Sequence, residues 1–233
     1  MERKDSTGRS AIQDILKEDD SNIKRQHGTV DYLDYRIQIY HELKRYFENE
    51  AIINDSNISE IENNKVIKEM ISYGVLEYIG RGILVDLAWS PNDFLLRQLV
   101  LKQGIYSGST ALYLWGLSDE YPYKSFMTFK RGYRLPSTMQ EWTKGIIVKQ
   151  VSNDVLNMFV EKMDVSGTQQ KINIYSKERA LIDVLREPVG TDVINTAYKR
   201  YLKDSKIGVN KLMLAAKKLG ALEKVRSRLE IMI

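Results

Sequence analysis

The sequence predicts a mixed α/β (α+β) fold in two domains, and three observations support this prediction. The chain has 233 residues, more than one small domain needs, and 43% of them are hydrophobic, which is enough for a core in each domain. Helical and strand-like hydrophobic patterns both occur along it. In the first third, helical patterns precede a single β-hairpin, whereas in the remainder strands and helices mix and a bundle of helices ends the chain.

Three helical segments open the first third of the chain. Apolar residues recur at helical spacing over residues 35–47, which predicts a first packed helix. Residues 56–61 have the composition of a short second helix. A third helix follows, with Asn63 or Asn64 as its N-cap. Its inward stripe consists of Val66, Ile67, Met70 and Ile71.

A β-hairpin is predicted directly after the third helix. Gly74 ends that helix, and two β-rich runs at 75–79 and 83–87 are joined by a Gly-Arg-Gly tip that carries Arg81. Helix, short helix, helix and hairpin is the order of a winged helix-turn-helix. We therefore predict an N-terminal extension at 1–34, a winged helix-turn-helix DNA-binding domain at 35–90 and a C-terminal domain at 91–233.

The third helix and the hairpin tip are the expected DNA contacts. The major groove of B-DNA accepts an α-helix, while a hairpin tip can reach the backbone or the minor groove beside it. The predicted DNA-binding residues are Asn64, Lys65, Lys68 and Ser72 on the outward face of the helix, and Arg81 on the wing. Glu62 and Glu69 are assigned to the same helix, so any contact with DNA must be local.

Charge is distributed unevenly along the chain. Residues 1–91 carry 12 Lys or Arg and 17 Asp or Glu, a net charge of −5, whereas residues 92–233 carry 23 and 14, a net charge of +9. A basic domain favours a polyanionic partner because it neutralises phosphates and releases their counterions, although solvated lysines give the same composition. The C-terminal domain is therefore a candidate to bind nucleic acid.

Composition argues against several classes of enzyme. The chain has no cysteine, which excludes disulfides, thiolate metal sites and cysteine nucleophiles. Its two histidines, His27 and His41, lie in or near a charged N-terminal helical stretch, so we expect neither a histidine metal site nor a Ser-His-Asp triad. We expect no catalytic residues, cofactor or metal. No apolar run approaches a leader or a membrane span, so we expect a cytoplasmic protein with no membrane partner.

The C-terminal domain mixes strands and helices. The connection to it is predicted at 88–92, where Pro91 removes an amide donor. Helices are predicted at 93–102 and 110–115, strands at 125–129, 145–151, 160–165 and 171–175, and helices at 177–186, 192–203, 209–219 and from 222 onward. Ser107 or Ser109 can cap the second of these helices, and Ser166 with Gly167 predicts a hairpin turn between the last two strands.

Two stretches of the C-terminal domain carry a pattern shared with a known family. Residues 106–136, YSGSTALYLWGLSDEYPYKSFMTFKRGYRLP, combine a Ser-rich start, a small helix ending in Leu-Trp-Gly-Leu, a strand and a basic glycine turn. Residues 171–185, KINIYSKERALIDVL, combine a strand with a Ser-x-Glu-Arg-x-Leu-x-Asp helix. With the winged helix upstream, the chain resembles AbiEi-family antitoxins from about residue 35 onward. The family often has histidine before the Gly-Leu step, where this chain has Trp115, which argues against histidine chemistry there.

The resemblance implies an antitoxin of an abortive-infection, type IV toxin-antitoxin pair. Such a protein is not an enzyme and counteracts a nucleotidyltransferase-like toxin without forming a stable complex with it. The resemblance also implies autoregulation, in which the winged helix binds inverted repeats in the promoter of its own operon and the C-terminal domain carries the antitoxin activity. A single winged helix commonly binds one half-site, so we expect two copies of the protein to bind one inverted repeat.

The basic residues of the first resembling stretch form a candidate polyanion surface. A basic C-terminal domain can compete for RNA, support DNA binding, or do both. The residues that we assign to this antitoxin and polyanion surface are Lys124, Lys130, Arg131 and Arg134. Lysines that flank a strand and a turn are, however, commonly solvated without any ligand.

The second resembling stretch has a purely structural explanation. Ser176 is expected to cap a helix, and Glu178 favours the positively polarised N-terminus of that helix. Arg179 and Asp183, four residues apart, can form an ion pair along it. Catalysis is not required to explain this pattern.

Two other functions stay open on the sequence. A metal-dependent nuclease needs clustered carboxylates, and the nearest spacings, Asp204-Ser205-Lys206 and Glu42-Leu43-Lys44, have no evident partner carboxylate. A stand-alone winged-helix transcription factor would use its C-terminal domain to sense a small ligand. Binding data would separate that reading from an antitoxin.

Overall fold

The computed structural model describes residues 28–54, 64–204 and 208–232. Within these ranges the protein has ten helices and two β-sheets. The mixed α/β class is the one that the sequence predicts. The chain divides into two compact units, one of Met1–Val100 with Asp164–Lys171 and one of Leu101–Met163 with Ile172–Ile233. The division after residue 100 lies beyond the boundary predicted after residue 90.

The first unit contains a small antiparallel sheet and three described helices. In chain order its elements are α1 (Thr29–Phe47), β1 (Ile52–Asn54), α2 (Lys65–Ser72), β2 (Leu76–Gly80), β3 (Ile83–Asp86) and α3 (Asp93–Leu101), whose last residue falls in the second unit. The strands lie in the order β1-β3-β2, and both pairings are antiparallel. The first helix begins before the predicted residue 35, and the predicted short helix at 56–61 lies outside the described residues.

The core of the first unit comes from the apolar faces of α1, α2 and the sheet. Its buried members are Ile39, Leu43, Ile53, Val66, Ile67, Leu76 and Leu84. Each buried aliphatic side chain of this size contributes about 1.5–3 kcal/mol relative to an exposed one. The packing therefore fixes α2 against α1 and the hairpin, and leaves the opposite face of α2 in solvent.

Residues 164–171 complete the first unit through a tight turn. The Gly167 carbonyl accepts the Ala51 N–H at 3.0 Å, and the Ser166 carbonyl accepts the indole N–H of Trp89 at 2.8 Å. A Cβ at Gly167 would lie 2.7 Å from the Trp89 ring, and the backbone φ of +82° also favours glycine. The turn predicted at Ser166 and Gly167 is confirmed. The buried carboxylate of Glu50 accepts hydrogen bonds from the Thr168 hydroxyl and the Gln169 N–H.

The second unit packs helices around a mixed five-stranded sheet. Its elements are β4 (Ile105–Tyr106), α4 (Gly108–Leu114), β5 (Ser125–Lys130), α5 (Gln140–Thr143), β6 (Ile146–Val151), α6 (Asn153–Leu156), β7 (Val160–Asp164), β8 (Lys171–Tyr175), α7 (Lys177–Val184), α8 (Thr191–Asp204), α9 (Gly208–Lys218) and α10 (Leu222–Glu230). The strand order is β6-β5-β4-β8-β7, with β5 parallel to β6 and β4 parallel to β8. The four predicted strands and the four C-terminal helices are confirmed within a few residues.

The structural explanation for residues 176–183 is confirmed. The Ser176 hydroxyl accepts the Arg179 N–H at 3.4 Å and caps α7, and Arg179 Nε lies 3.6 Å from Asp183 Oδ2. Glu178 accepts a hydrogen bond of 2.7 Å from the Tyr201 hydroxyl. Trp115 also has a structural partner, because its indole N–H donates to the Tyr175 carbonyl at 2.8 Å.

Candidate nucleic-acid interface

The helix α2 begins at a side-chain cap. Asn64 Oδ1 accepts the N–H groups of Val66 at 2.9 Å and Ile67 at 3.4 Å, which satisfies two of the free donors at the helix N-terminus. Asn64 is only 2% exposed. The prediction that Asn64 caps the helix is confirmed, whereas the prediction that it lies on the outward face is wrong. Because the Asn64 side chain folds back to accept these backbone N–H groups, it cannot also point outward toward a ligand.

Three of the predicted DNA-binding residues do share the outward face of α2. Lys65, Lys68 and Ser72 are exposed, and their spacing of three and four residues places them on one side of the helix. The Ser72 hydroxyl donates to the Glu69 carbonyl at 2.8 Å, so it is held close to the helix backbone. Two ammonium groups and one hydroxyl are suited to contact phosphates and base edges.

The one described acidic side chain on this face has a cation beside it. Glu69 Oε2 accepts a hydrogen bond of 2.6 Å from Arg36 of α1 and a second of 3.2 Å from the Tyr40 hydroxyl. Burial acts to lower the pKa of the Arg36 guanidinium, but its hydrogen bonds with Tyr32, Tyr40 and Glu69 outweigh burial and raise that pKa above its usual range. The ion pair reduces the repulsion that Glu69 would exert on a phosphate.

The hairpin tip has a strained backbone and an engaged arginine. Gly80, Arg81 and Gly82 all have positive φ, of 113°, 52° and 88°, and arginine rarely adopts that conformation. The Arg81 guanidinium donates to the Val100 carbonyl at 3.2 Å, near the end of α3. One of its N–H groups is therefore bonded within the protein. This bond restricts the side chain that is predicted to contact DNA from the wing.

The structure adds two residues to this surface that the sequence did not indicate. Tyr73, the C-cap of α2, is 81% exposed and follows directly after Ser72. Arg36 reaches the face from another helix, 33 residues away in the sequence. No local spacing relates Arg36 to Glu69. Tyr73 directly follows the predicted contact Ser72, and this adjacency was a signal in the sequence that could have been used.

The four predicted polyanion-surface residues lie in the second unit and are all exposed. Lys130, Arg131 and Arg134 cluster at the turn after β5, where the Arg131 N–H donates to the Val151 carbonyl and the Gln150 side chain bonds Gly132 and Tyr133. Lys124 precedes β5, and a strand of six residues spans about 20 Å. The structure therefore groups three of the four residues and leaves Lys124 at the other end of the strand.

Neither a metal cluster nor a membrane span is found in the described part of the chain. Residues 28–54, 64–204 and 208–232 hold no group of three or more His, Cys, Asp or Glu side chains that could bind a metal ion. Ser205 and Lys206, which belong to one of the spacings considered for a nuclease, lie outside those ranges. None of the described helices is both long enough and apolar enough to cross a membrane.

Comparison with other proteins adds no family assignment. No protein-family model matches the chain. No curated protein matches it either.

Proposed function

We propose that the protein is a non-enzymatic antitoxin and autorepressor of a type IV toxin-antitoxin pair. In this proposal residues 35–90 form a winged helix-turn-helix that binds inverted repeats in the promoter of its own operon. The C-terminal domain counteracts a nucleotidyltransferase-like toxin without a stable complex. The protein acts in the cytoplasm, and its partners are promoter DNA, the cognate toxin and, through the basic domain, RNA.

The single observation that carries the DNA-binding part is the arrangement of the first unit. A helix, a strand, a second described helix and a hairpin follow one another, and the first strand pairs with the last strand of the hairpin. This order and pairing are those expected for a winged helix. The face of α2 that the core does not use carries Lys65 and Lys68.

The proposed mode of binding follows from the dimensions of the groove. An α-helix fits the major groove, so α2 would enter with Lys65 and Lys68 toward phosphates or guanine edges and Ser72 toward a base or phosphate. The hairpin tip with Arg81 would lie beside it on the backbone or in the minor groove. Asn64 has no place in this contact because its side chain is the helix cap.

The DNA-binding part is tested by fluorescence anisotropy with labelled duplex from upstream of the gene. We expect this duplex to bind at physiological salt more tightly than a scrambled duplex of the same composition, by at least about 10³-fold. Unlabelled tRNA should compete no better than scrambled DNA. Equal affinity for all three polyanions would contradict specific repression and assign the binding to charge alone.

The antitoxin part is supported by the resemblance of residues 106–136 and 171–185, and by the exposed cluster of Lys130, Arg131 and Arg134. It is tested by co-expression with the toxin encoded beside it, with growth as the readout. The variant to test is the full chain with Lys65 and Lys68 both changed to alanine. Because residues 91–233 are unchanged in it, we expect it to rescue growth as well as the wild type does. A chain that represses its promoter but never rescues growth would be a stand-alone transcription factor.

A further inference from the structure

The second unit contains a small cavity that the proposed function does not use. It has a volume of 130 Å³ and lies where β6, α6, α7 and the end of α9 come together. Four cations line it, namely Lys149, Arg179, Arg186 and Lys218, and the carboxylate in its lining is that of Asp183. Two valines and Leu219 complete the wall.

Arg179 is the unusual member of this lining because its side chain is only 1% exposed. One guanidinium nitrogen donates to the carbonyls of Val155 and Met158, and the guanidinium lies 3.4 Å from the centre of the Tyr175 ring. Its Nε has no hydrogen-bond partner, at 3.6 Å from Asp183 Oδ2. Burial also lowers the pKa of this guanidinium, as expected for a charge that lacks full compensation.

Cations outnumber carboxylates around the cavity, even when Glu187, whose carboxylate interacts with Lys149 and Asp183, is counted beside Asp183. Asp183 Oδ1 accepts a hydrogen bond of 2.7 Å from Lys149 Nζ, so this carboxylate is already shared between Lys149 and Arg179. Arg186 donates to the Leu219 carbonyl at 3.4 Å, and the Lys218 ammonium lies 5.8 Å from the centre of the Phe159 ring. Neither of these partners carries a negative charge, and Arg186 and Lys218 are both exposed, so their charges face the open rim of the cavity. The one buried cation, Arg179, faces a carboxylate that it shares with Lys149.

The volume of the cavity limits what can enter. It exceeds the roughly 10–15 Å³ that a cavity needs to hold one water. It is well below the roughly 300 Å³ at which sites for drug-sized ligands begin. A compact oxyanion fits, whereas a nucleoside does not. Lysine and arginine bind phosphate oxygens through charge-assisted hydrogen bonds. A phosphate dianion neutralises more of the positive charge of the lining than a carboxylate, which carries a single charge.

We propose that this cavity binds a phosphate group. The group would come either from inorganic phosphate or from the phosphomonoester end of a nucleotide whose nucleoside stays outside. Arg179 would contact it from the buried side, the partly exposed Lys149 from the side of β6, and Arg186 and Lys218 from the rim. The site is separate from the DNA-binding surface, so phosphate binding is expected whether or not the protein represses a promoter.

Isothermal titration calorimetry of the full chain tests this, in chloride buffer of physiological ionic strength so that diffuse surface attraction is screened. The probes are inorganic phosphate, AMP and adenosine. We expect saturable binding of phosphate and AMP with a Kd of ~1 mM or tighter, and no binding of adenosine. Equal affinities would identify free phosphate as the source, and tighter AMP binding would identify a nucleotide end; both support the site.

Two lysine variants separate the cavity from the general charge of the protein. Lys218→Ala removes a cation from the rim and should weaken phosphate binding by about tenfold or more. Lys217→Ala removes the same charge from the neighbouring exposed position and should leave binding unchanged, and both variants should keep the wild-type melting temperature. Absence of saturable binding, or equal weakening by both variants, would overturn the proposal.

Discussion

The guanidinium of Arg36 and the carboxylate of Glu69 lie 2.6 Å apart and join α1 to the solvent-facing side of α2. This pair has two consequences for the surface proposed to bind DNA. It fixes the helix that carries Lys65 and Lys68 against its neighbour. It also places a cation beside the one described carboxylate on that face, close to where a phosphate would have to approach.

The pair predicts opposite effects of its two partners on DNA affinity. Arg36→Ala should weaken binding to promoter DNA because it leaves the Glu69 charge uncompensated, and should lower the free energy of unfolding by about 1 kcal/mol, since the pair is partly exposed. Glu69→Gln should keep or increase the affinity. The double variant, measured by anisotropy and urea unfolding, should recover most of the affinity lost in Arg36→Ala; an additive further loss would refute the electrostatic explanation.

Asn64 is predicted to affect stability rather than base recognition. Asn64→Ala should lower the free energy of unfolding by about 1 kcal/mol, because two backbone N–H groups lose their acceptor. Asn64→Ser, which keeps a capping oxygen, should retain most of the stability and the full discrimination between promoter and scrambled DNA. Loss of discrimination in a stable Asn64→Ser protein would show that the amide reads a base after all.

Arg179 is predicted to be a strong determinant of stability in the second unit. Arg179→Ala should lower the free energy of unfolding by about 3 kcal/mol, since it removes a buried charge that bonds two carbonyls and faces Asp183. Arg179→Lys should restore little of this, because an ammonium cannot reproduce the planar fork. Arg186→Ala is the matched control, with a change within about 0.5 kcal/mol in urea unfolding. A loss as small as that of the control would contradict the assigned packing.

Glu178 and Tyr201 predict an acid-dependent part of the stability. Burial acts to raise the pKa of Glu178, but the hydrogen bond from Tyr201 and bonds at the N-terminus of α7 outweigh it and lower that pKa below the ordinary value. A carboxylate with a lowered pKa stabilises the fold above its unfolded pKa, and this contribution is lost as the pH falls through the folded pKa.

The matching variant is Tyr201→Phe, followed by urea unfolding at several pH values. Near pH 7 it should be less stable than the wild type by about 1 kcal/mol, because a hydrogen bond to a charged group is lost. The difference should begin to shrink as the pH falls below about 4.3, the ordinary pKa of glutamate in an unfolded chain, and should vanish once the pH is below the lowered pKa of folded Glu178. A difference that is independent of pH would assign the effect to the bond between Tyr201 and the Gly208 carbonyl instead.

Most elements of the fold follow from local pattern, and the exceptions have physical reasons. The helix at 65–72 and the hairpin after it are predictable because a capping asparagine, an apolar stripe and glycines mark their ends. The strands Ile52–Asn54 and Ile105–Tyr106 are too short to show alternation, and they form because partners elsewhere in the chain pair with them. The docking of residues 164–171 on Glu50 and Trp89 depends on contacts between distant segments, which no local spacing encodes.

The candidate interface is predictable only in part. The positions of Lys65, Lys68 and Ser72 follow from helical periodicity alone. The inward turn of Asn64 could have been deduced from its capping role, because the same residue cannot both bond the helix N-terminus and face a ligand. The bond from Arg81 to Val100 and the cation-lined cavity required the three-dimensional structure, since their residues come from separate elements.

The salt dependence of promoter binding in lysine variants tests the proposed function most directly. Lys65→Ala and Lys68→Ala should each weaken binding and reduce the slope of log affinity against log salt by about 1, because each removes one phosphate contact. Lys44→Ala, an exposed lysine on α1, should leave both quantities unchanged. If instead the three variants behave alike, or if promoter DNA binds no better than scrambled DNA, then α2 does not read the promoter and the proposed repressor function is wrong.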